Sequence, residues 1–208
     1  MGKKSDGKDP RSYAEFKWTI YTWYVLHTIA LFSVTKETSP VLAEQGAKYV
    51  RFFSILWKEL PCPDCTEHYV RFLKAHPLNS KTDLHEWMVG LHNDVNRRIG
   101  TRTYTSKQAR DFYMLNGKLV VDWWYFYFMV KTFANVAYTN NTISQFCKTL
   151  DALRKVVPST SLRKELPKSK KFADKRIFIR RYLITLKKRM DSVDPKVKEL
   201  RFTTGAKK

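Results

Sequence analysis

The sequence has few cysteines and few glycines, and each shortage excludes a class of protein. Its three cysteines are an odd and sparse set over 208 residues, so they do not describe the disulfide framework of a small secreted domain. Its seven glycines form neither a Gly-rich phosphate loop nor a dinucleotide fingerprint. Any nucleotide cofactor must therefore be held by something other than a Rossmann unit.

Long apolar runs are missing as well. The longest uncharged stretch, Trp18–Thr35, contains His27, and Lys118–Lys131 is interrupted by Asp122. A membrane-spanning helix needs about 20 predominantly apolar residues. Residues 1–9 are polar and basic, and no apolar segment follows them. We therefore expect a cytoplasmic location and no secretory signal peptide.

Acidic residues are scarce relative to basic ones. The 39 Lys and Arg against 19 Asp and Glu give a formal charge of +20, which favours an anionic partner: a cofactor pyrophosphate, nucleic acid, acidic protein or membrane surface. Residues 163–208 hold 17 basic and 5 acidic residues, or +12 of that charge. Most of the excess positive charge therefore lies in the tail, and the function of the first half of the chain does not have to be explained by an anionic partner.

What the sequence does have is helical periodicity throughout, which predicts an all-α fold. Ser39 before Pro40 indicates one helix start, and Ser80–Asp83 has the form of a capping box. Four helices joined by short loops imply an up-down bundle, with a short fifth helix after it. The predicted helices are Tyr13–Ser33, Pro40–Leu60, Cys62–Ala75, Leu84–Gly100, Lys107–Leu115, Val120–Ala137, Thr142–Val157 and Lys171–Arg189.

The amino-acid composition changes near residue 116 and becomes first very aromatic and then basic. This change predicts a domain over residues 11–115 and a helical C-terminal extension with a basic tail over residues 116–208. The aromatic run Trp123–Phe128 is expected to be a core helix of that extension. Cys147 is most simply a buried small residue.

Cys62 and Cys65 stand two residues apart, directly after the helix-breaking Pro61. Both thiols are therefore expected in the first turn of the third helix, where unpaired N–H groups and the helix dipole stabilise a thiolate. The two-residue spacer also suits a closed disulfide. The pair is a candidate redox centre, with half of a zinc site and two buried small residues as the alternatives.

A closed structural zinc site needs about four ligands. The remaining candidates form no second CxxC or HxxxH pair: Cys147, His68, His76, His85 and His92. The sequence therefore disfavours a zinc-binding interaction module.

A second polar group lies on the fourth helix. His92 and Asn96 are four residues apart, share a face and could hydrogen-bond one ligand, while Asn93 points elsewhere unless it binds at the rim. Because Leu91 and Val95 put the buried stripe next to them, a partly buried polar site is favoured over a solvent-facing one.

A third group lies on the first helix. Trp23 and His27 are one turn apart and share a face, so a planar ring and a hydrogen-bonding ring could bracket a flat heterocycle. A tryptophan on an apolar helix is more often part of the core, so the signal comes from the combination.

The sequence contains three motifs: WxxLHT at Trp23–Thr28, CxxC at Cys62–Cys65, and LHNxVN at Leu91–Asn96, the last followed by a basic pair and Gly100. Together they resemble the motifs of the Erv/ALR family of flavin-linked sulfhydryl oxidases. All three motifs occur in the family's order and approximate spacing. The resemblance covers about Lys17–Tyr104, or about half of the chain.

The resemblance implies a four-helix bundle that clasps FAD. Trp23, His27, His92 and Asn96 would lie against the adenine end. The implied cofactor-binding set adds Asn93 and Val95 along the same cleft, Arg98 at the pyrophosphate, Tyr104 closing the pocket, and Cys65 next to the flavin.

It also implies the activity of a FAD-dependent thiol oxidase. A dithiol substrate protein would reduce the Cys62–Cys65 disulfide, and the electrons would pass through FAD to molecular oxygen to give hydrogen peroxide. Cys62 would be the more exposed thiol that meets the substrate.

The sequence departs from cellular members of that family in its cysteines. The N-terminal arm has none and Cys147 is single, so no shuttle disulfide can be assigned. The positions that match a structural disulfide of the family are Val89 and about Ser106. In lacking these cysteines, the sequence resembles family members that are encoded by large DNA viruses. This resemblance would place the protein in the host cytoplasm or the virion.

Two partners stay open. Family members usually dimerise through the first two helices, and apolar residues such as Phe52 and Phe53 on the second helix fit either a homodimer or a monomer whose extension packs there. The basic tail, with Phe178, Tyr182 and Phe202 interleaved, suggests a nucleic-acid-binding or virion-associated structural protein as the alternative function.

Overall fold

The computed structural model describes residues 11–34, 42–115, 118–119, 123–158, 163, 166, 168–171 and 173–192. Eight α-helices lie within these ranges: α1 Arg11–Val34, α2 Leu42–Ile55, α3 Pro63–Ala75, α4 Leu84–Arg98, α5 Ser106–Tyr113, α6 Trp123–Thr139, α7 Ile143–Val156 and α8 Lys175–Asp191. Two 3₁₀ turns, Leu56–Glu59 and Ser169–Lys171, interrupt the connections. The predicted all-α fold class is confirmed.

The fifth helix ends earlier than the sequence pattern predicts. It stops at Tyr113 rather than Leu115, because the chain turns into a two-residue strand, Met114–Leu115, paired antiparallel with Lys118–Leu119. Alternation over two residues is too short a signal to separate from the end of a helix.

Side-chain caps fix the helix starts. Asp83 caps α4 by accepting the N–H groups of His85 and Glu86, so the predicted capping box at Ser80 is wrong. The capping box of this region is at Thr105, which exchanges hydrogen bonds with Gln108 at the start of α5. Residues Ser39 and Pro40, the predicted start of the second helix, lie outside the described residues.

The last helix begins at Lys175 rather than at Lys171. The Asp174 carboxylate accepts the N–H groups of Arg176 and Ile177, so it caps α8 there and leaves the residues before it in a separate 3₁₀ turn.

The core is continuous from the first helices to the last. Helix α1 packs against α4 and α6, α2 against α7, and α8 against α6 and α7. Phe126 and Cys147 are buried in this core, which confirms the predicted core role of the aromatic helix and of Cys147. None of the described helices is long and apolar enough to cross a membrane.

Polar contacts hold α3 in place beside α2 and α4. The Tyr69 hydroxyl donates to the Phe53 carbonyl at 2.8 Å, and the Trp87 indole donates to the His76 carbonyl at 2.8 Å. These bonds join α3 to α2 and the residue after α3 to α4.

Candidate redox and cofactor site

Cys62 and Cys65 occupy the first turn of α3, as the sequence predicts. Cys62 is the N-cap and Pro63 follows at the first helical position. The backbone N–H of Cys65 donates to Cys62 Sγ at 3.2 Å, and both cysteines are free and half-buried. One N–H group of the helix start therefore points at the Cys62 sulfur.

The surroundings of Cys65 act against the expected thiolate. Burial raises the pKa of the Cys65 thiol, and Cys62 and Asp64 add to the rise. The Arg98 guanidinium opposes these effects because a positive charge favours the anionic sulfur. Cys65 is therefore a neutral thiol at physiological pH, and Arg98 is the group that offsets part of the cost of ionising it.

Cys65 opens into a small cavity of about 80 Å³ between α1, α3 and α4. The cavity is largely apolar, with walls that include Trp23, Leu26 and Val95. Arg98 closes one side of it. This cavity brings together four of the predicted site residues: Trp23, Cys65, Val95 and Arg98.

His68 lines the same cavity, although the sequence offered it only as one of several isolated candidates for a zinc ligand. Its Nε2 lies 3.2 Å from the Asp94 carboxylate on α4, and its Nδ1 lies 3.1 Å from the Arg71 guanidinium. Because the guanidinium only donates, Nδ1 is the acceptor and Nε2 carries the proton. His68 thus lies between Arg71 of α3 and Asp94 of α4, one turn beyond Cys65.

Trp23 and His27, which are predicted to bracket a flat heterocycle, do not face each other as a parallel pair. Their ring centroids lie 6.1 Å apart at 44°, whereas Trp23 stacks on His92 at 4.0 Å and 2°. His27 stacks instead on Tyr113 at 4.6 Å and 13°. One helical turn separates Trp23 and His27, and a ring from another element faces each of them.

The two histidines join this stack through a hydrogen bond. His27 Nε2 and His92 Nδ1 lie 2.9 Å apart, so one ring donates and the other accepts. Burial lowers the pKa of His92 to about 4. Burial, then His92 and His85, lower the pKa of His27 well below its usual value. Both rings are neutral at physiological pH.

A second and larger cavity, of about 390 Å³, lies on the other side of the stack. Five predicted site residues line it: His27, His92, Asn93, Asn96 and Tyr104. The ring stack of Trp23 and His92 therefore stands between two cavities that together contain all nine predicted cofactor residues.

The two asparagines hold the loop that follows α4. Asn93 exchanges two hydrogen bonds with the Tyr104 backbone, at 2.7 and 2.9 Å, and Asn96 donates to the Arg102 carbonyl at 2.8 Å. Gly100, with a φ of 69°, provides the turn that brings this loop back over the helix. The carboxamides therefore shape the wall of the large cavity, and binding of a ligand by Asn93 at the rim stays a prediction.

Several lining residues of the large cavity had no motif to reveal them. Arg102, Gln108, Phe112 and Tyr113 lie in the loop after α4 or on α5. Their one sequence signal was the basic and aromatic character of residues 102–113, which is too common to indicate a site.

Buried polar atoms without partners show what the cavities could hold. The Thr22 hydroxyl lines the small cavity and His27 lines the large one, and neither the Thr22 Oγ1 nor the His27 Nδ1 has a hydrogen-bond partner within the described residues. A ligand long enough to enter both cavities could satisfy both atoms with its polar edges and lie against the neutral rings. The residues present therefore fit a flavin dinucleotide.

Fold and site define a helical dithiol protein whose redox pair opens into a ring-lined cleft. The model of the Erv1 / Alr family matches residues 20–113. This segment contains the thiol pair and all nine predicted cofactor residues, so this part of the chain is similar to the Erv1 / Alr family.

Similar proteins come from plants and from viruses. The chain is 33% identical to the rice "FAD-linked sulfhydryl oxidase ERV1" over 81 residues, 38% of this chain and 40% of the relative. It is 31% identical to the mimivirus "Probable FAD-linked sulfhydryl oxidase R368" over 98 residues, 45% of this chain and 66% of the relative. It is 26% identical to an African swine fever virus "FAD-linked sulfhydryl oxidase" over 103 residues, 46% of this chain and 79% of the relative.

The chain thus spans less than two thirds of the length of the rice and mimivirus relatives. No solved structure matches it.

Proposed function

We propose that the chain is a FAD-linked thiol oxidase that forms disulfides in dithiol substrate proteins. The observation that carries the proposal is the division of the thiol pair between two environments. Cys62 caps α3 at its exposed start, and Cys65 faces the cavity formed with Trp23 and Arg98. One sulfur can meet a protein substrate while the other meets a bound cofactor.

The first half of the reaction is thiol–disulfide exchange on the oxidised pair. A substrate thiolate attacks Cys62 Sγ, which forms a mixed disulfide and releases Cys65 as the leaving thiolate. A second substrate thiol resolves the mixed disulfide, so the substrate leaves oxidised and the pair is left reduced. Attack on Cys62 fits the geometry, because Cys65 is the sulfur that lines the cavity, and Arg98 favours the negative charge that Cys65 takes as the leaving group.

FAD, when bound, accepts the two electrons of the reduced pair and passes them to oxygen, which gives hydrogen peroxide. The residues that would hold it are the nine predicted ones along the two cavities. Trp23, His27 and His92 offer neutral rings for stacking, and Arg98 offers a positive charge close to both Cys65 and the cleft. Apolar walls at Leu26 and Val95 keep water from Cys65.

The test is to purify the protein, record its visible spectrum and follow oxygen uptake with dithiothreitol. We expect a yellow, FAD-containing protein that consumes oxygen and produces peroxide. Cys62→Ser and Cys65→Ser should keep FAD and lose turnover, whereas Cys147→Ala, at a buried site far from the pair in sequence, should retain activity. A colourless protein, or unchanged turnover in both serine variants, would refute the proposal.

The zinc alternative is not favoured. No group of three or more His, Cys, Asp or Glu side chains within the described residues could hold a metal ion. Bound metal in a colourless preparation would reverse this preference.

We further propose that residues 11–115 form the oxidase domain and that 116–208 form an extension built onto it. The family match over 20–113 supports the boundary. Packing of α6 on α1 and of α7 on α2 supports a monomer whose own extension covers the faces that a homodimer through the first two helices would use.

Location and nucleic-acid binding complete the proposal. Viral relatives and the lack of a shuttle cysteine pair support a viral protein of the host cytoplasm or virion. The nucleic-acid alternative rests on the +12 charge of residues 163–208. A salt-dependent shift of DNA or RNA that disappears on truncation at Pro158 would support it.

A further inference from the structure

Helix α8 has a buried face and a strongly basic outward face. Phe178, Ile179, Tyr182 and Leu186 are buried in the core against α6 and α7. The exposed side chains, hereafter the outward face of α8, are Arg176, Ile177, Arg180, Arg181, Ile184, Lys187 and Lys188.

The outward face repeats every seven residues. Ile177 is followed by Arg180 and Arg181, and Ile184 by Lys187 and Lys188. Positions three, four and seven residues apart share one side of a helix, so the two isoleucines are aligned roughly 10 Å apart with a pair of cations after each. Apolar and cationic groups therefore alternate along a single stripe.

The two isoleucines are unusually exposed for their type. Ile177 is 48% exposed and Ile184 is 47% exposed. Tyr138, at the end of α6, is 39% exposed, and its hydroxyl donates to the Arg176 carbonyl at 3.3 Å. Three of the exposed large hydrophobic side chains of the described residues thus lie on or beside one basic helix face, which favours a contact site over scattered exposure.

Acidic side chains lie at the ends of this surface. Asp174 is occupied as the cap of α8, and Asp191 pairs with Lys187 at 2.8 Å. Between Asp174 and Asp191 the sequence of α8 contains no acidic residue, so the charged side chains in the middle of the stripe are all basic.

We propose that the outward face of α8 docks the protein onto an anionic phospholipid surface. Arginine and lysine side chains would contact lipid phosphates, and Ile177, Ile184 and Tyr138 would enter the boundary between headgroups and acyl chains. Nucleic acid would use the cations but offers no apolar layer for two aligned isoleucines. The alternation of the two kinds of side chain therefore favours a lipid surface.

The experiment is flotation of the full chain with vesicles of phosphatidylcholine alone or with 30% phosphatidylserine added. We expect binding to the anionic vesicles, weaker binding in high salt, and little binding to the neutral ones. Arg180→Glu with Arg181→Glu should weaken partitioning by at least about tenfold, since each cation near the surface contributes on the order of 1 kcal/mol. Ile177→Ser with Ile184→Ser should also weaken it severalfold.

Matched controls separate this face from general charge and apolarity. Lys74→Glu with Lys81→Glu makes the same charge change at exposed positions of α3 and the loop after it, and Ile20→Ser removes an exposed isoleucine from α1. Both controls should bind anionic vesicles more strongly than the α8 variants do. Circular dichroism melting checks folding, and Arg180→Gln with Arg181→Gln replaces the reversal variant if that one unfolds.

Two results would overturn the proposal. Equal binding to neutral and anionic vesicles, or no binding to either, removes the lipid surface as the partner. Loss of binding in the arginine variants alone, with the isoleucine variants unchanged and a single-stranded DNA probe bound in the same assay, identifies the face as a nucleic-acid surface.

Discussion

Single residues around Cys65 set how easily its sulfur can carry negative charge. Burial and the neighbouring Cys62 disfavour the thiolate, and Arg98 favours it. The sequence predicts that the cysteines lie at a helix start, which favours a thiolate. Burial depends on tertiary structure, and the CxxC spacing gives no information about it. The thiol pair was therefore predictable from sequence, while the electrostatic balance at Cys65 was not.

Arg98→Gln should slow the reaction of reduced Cys65 with iodoacetamide at pH 8, because loss of the positive charge raises the Cys65 pKa further. Mass spectrometry of the alkylated peptides gives the rate at Cys65 separately from Cys62. Arg97→Gln is the matched control, since it removes the same charge one residue earlier on α4. An equal effect of both variants would show that Arg98 has no specific role.

A second residue-scale effect comes from Glu59, which lies three residues before Cys62. Its side chain is fully buried and accepts a hydrogen bond from the Thr149 hydroxyl at 2.6 Å, and burial raises its pKa to about 7. The folded value lies above the unfolded value of 4.5, so this contribution to stability is complete below pH 4.5 and is lost as pH rises through 7.

Glu59→Gln should therefore stabilise the protein at pH 8, by on the order of 2 kcal/mol, and change little at pH 4.5. Gln can still accept from Thr149 and carries no charge to bury. Urea unfolding at the two pH values measures the difference, and Glu67→Gln, on the exposed side of α3, is the control. A stabilisation independent of pH would contradict this explanation.

The neutral histidines His92 and His27 affect the stability of the fold with a pH dependence opposite to that of Glu59. The folded pKa of His92, about 4, lies below its usual 6.5, and that of His27 is lowered as well. Their contribution is complete above pH 6.5 and is lost as pH falls towards 4. We expect His92→Gln to reduce the loss of stability between pH 6.5 and 4, measured by thermal melting. An unchanged pH slope would show that His92 is not the titrating group.

At the scale of elements, α4 and the loop after it act as one unit. Helix α4 was predictable because its apolar residues recur at helical spacing, and Leu84, Trp87 and Leu91 are buried as that spacing predicts. The wall formed by Arg102 and Tyr104 was not, because it depends on hydrogen bonds from Asn93 and Asn96 to a loop. Loop position leaves no periodic signal in a sequence.

Asn93→Ala should loosen this loop and weaken FAD binding by about tenfold, because two hydrogen bonds of roughly 1 kcal/mol each are lost. Release of FAD fluorescence on dilution measures the affinity. Asn135→Ala, at an exposed position on α6, is the control. Unchanged affinity in Asn93→Ala would show that the loop does not shape the cofactor site.

At the scale of the whole molecule, the extension and the bundle share one hydrophobic core. Tyr21 and Tyr24 of α1 contact Tyr125 of α6 with ring centroids 5.2 and 4.8 Å apart. The core role of the aromatic helix could be predicted from its composition. Its packing against α1 could not be predicted, because these contacts join positions about a hundred residues apart in the sequence.

Full-length protein should therefore unfold in one cooperative transition and behave as a monomer near 24.6 kDa. Truncation after residue 115 should expose the faces of α1 and α2 that α6 and α7 cover, and cause self-association. Calorimetry and light scattering measure the two properties. Two separate transitions, or a truncated chain that stays monomeric and stable, would show that the extension folds apart from the oxidase domain.

The proposed electron route runs from the substrate to Cys62 and then through Cys65 to FAD. Anaerobic addition of dithiothreitol, followed by the visible absorbance of bound FAD, tests it directly. The wild-type flavin should bleach on addition of one equivalent, whereas Cys65→Ser should retain its FAD and stay yellow over the same time. Equally fast bleaching in Cys65→Ser, or a wild-type protein that binds no FAD, would contradict the claim.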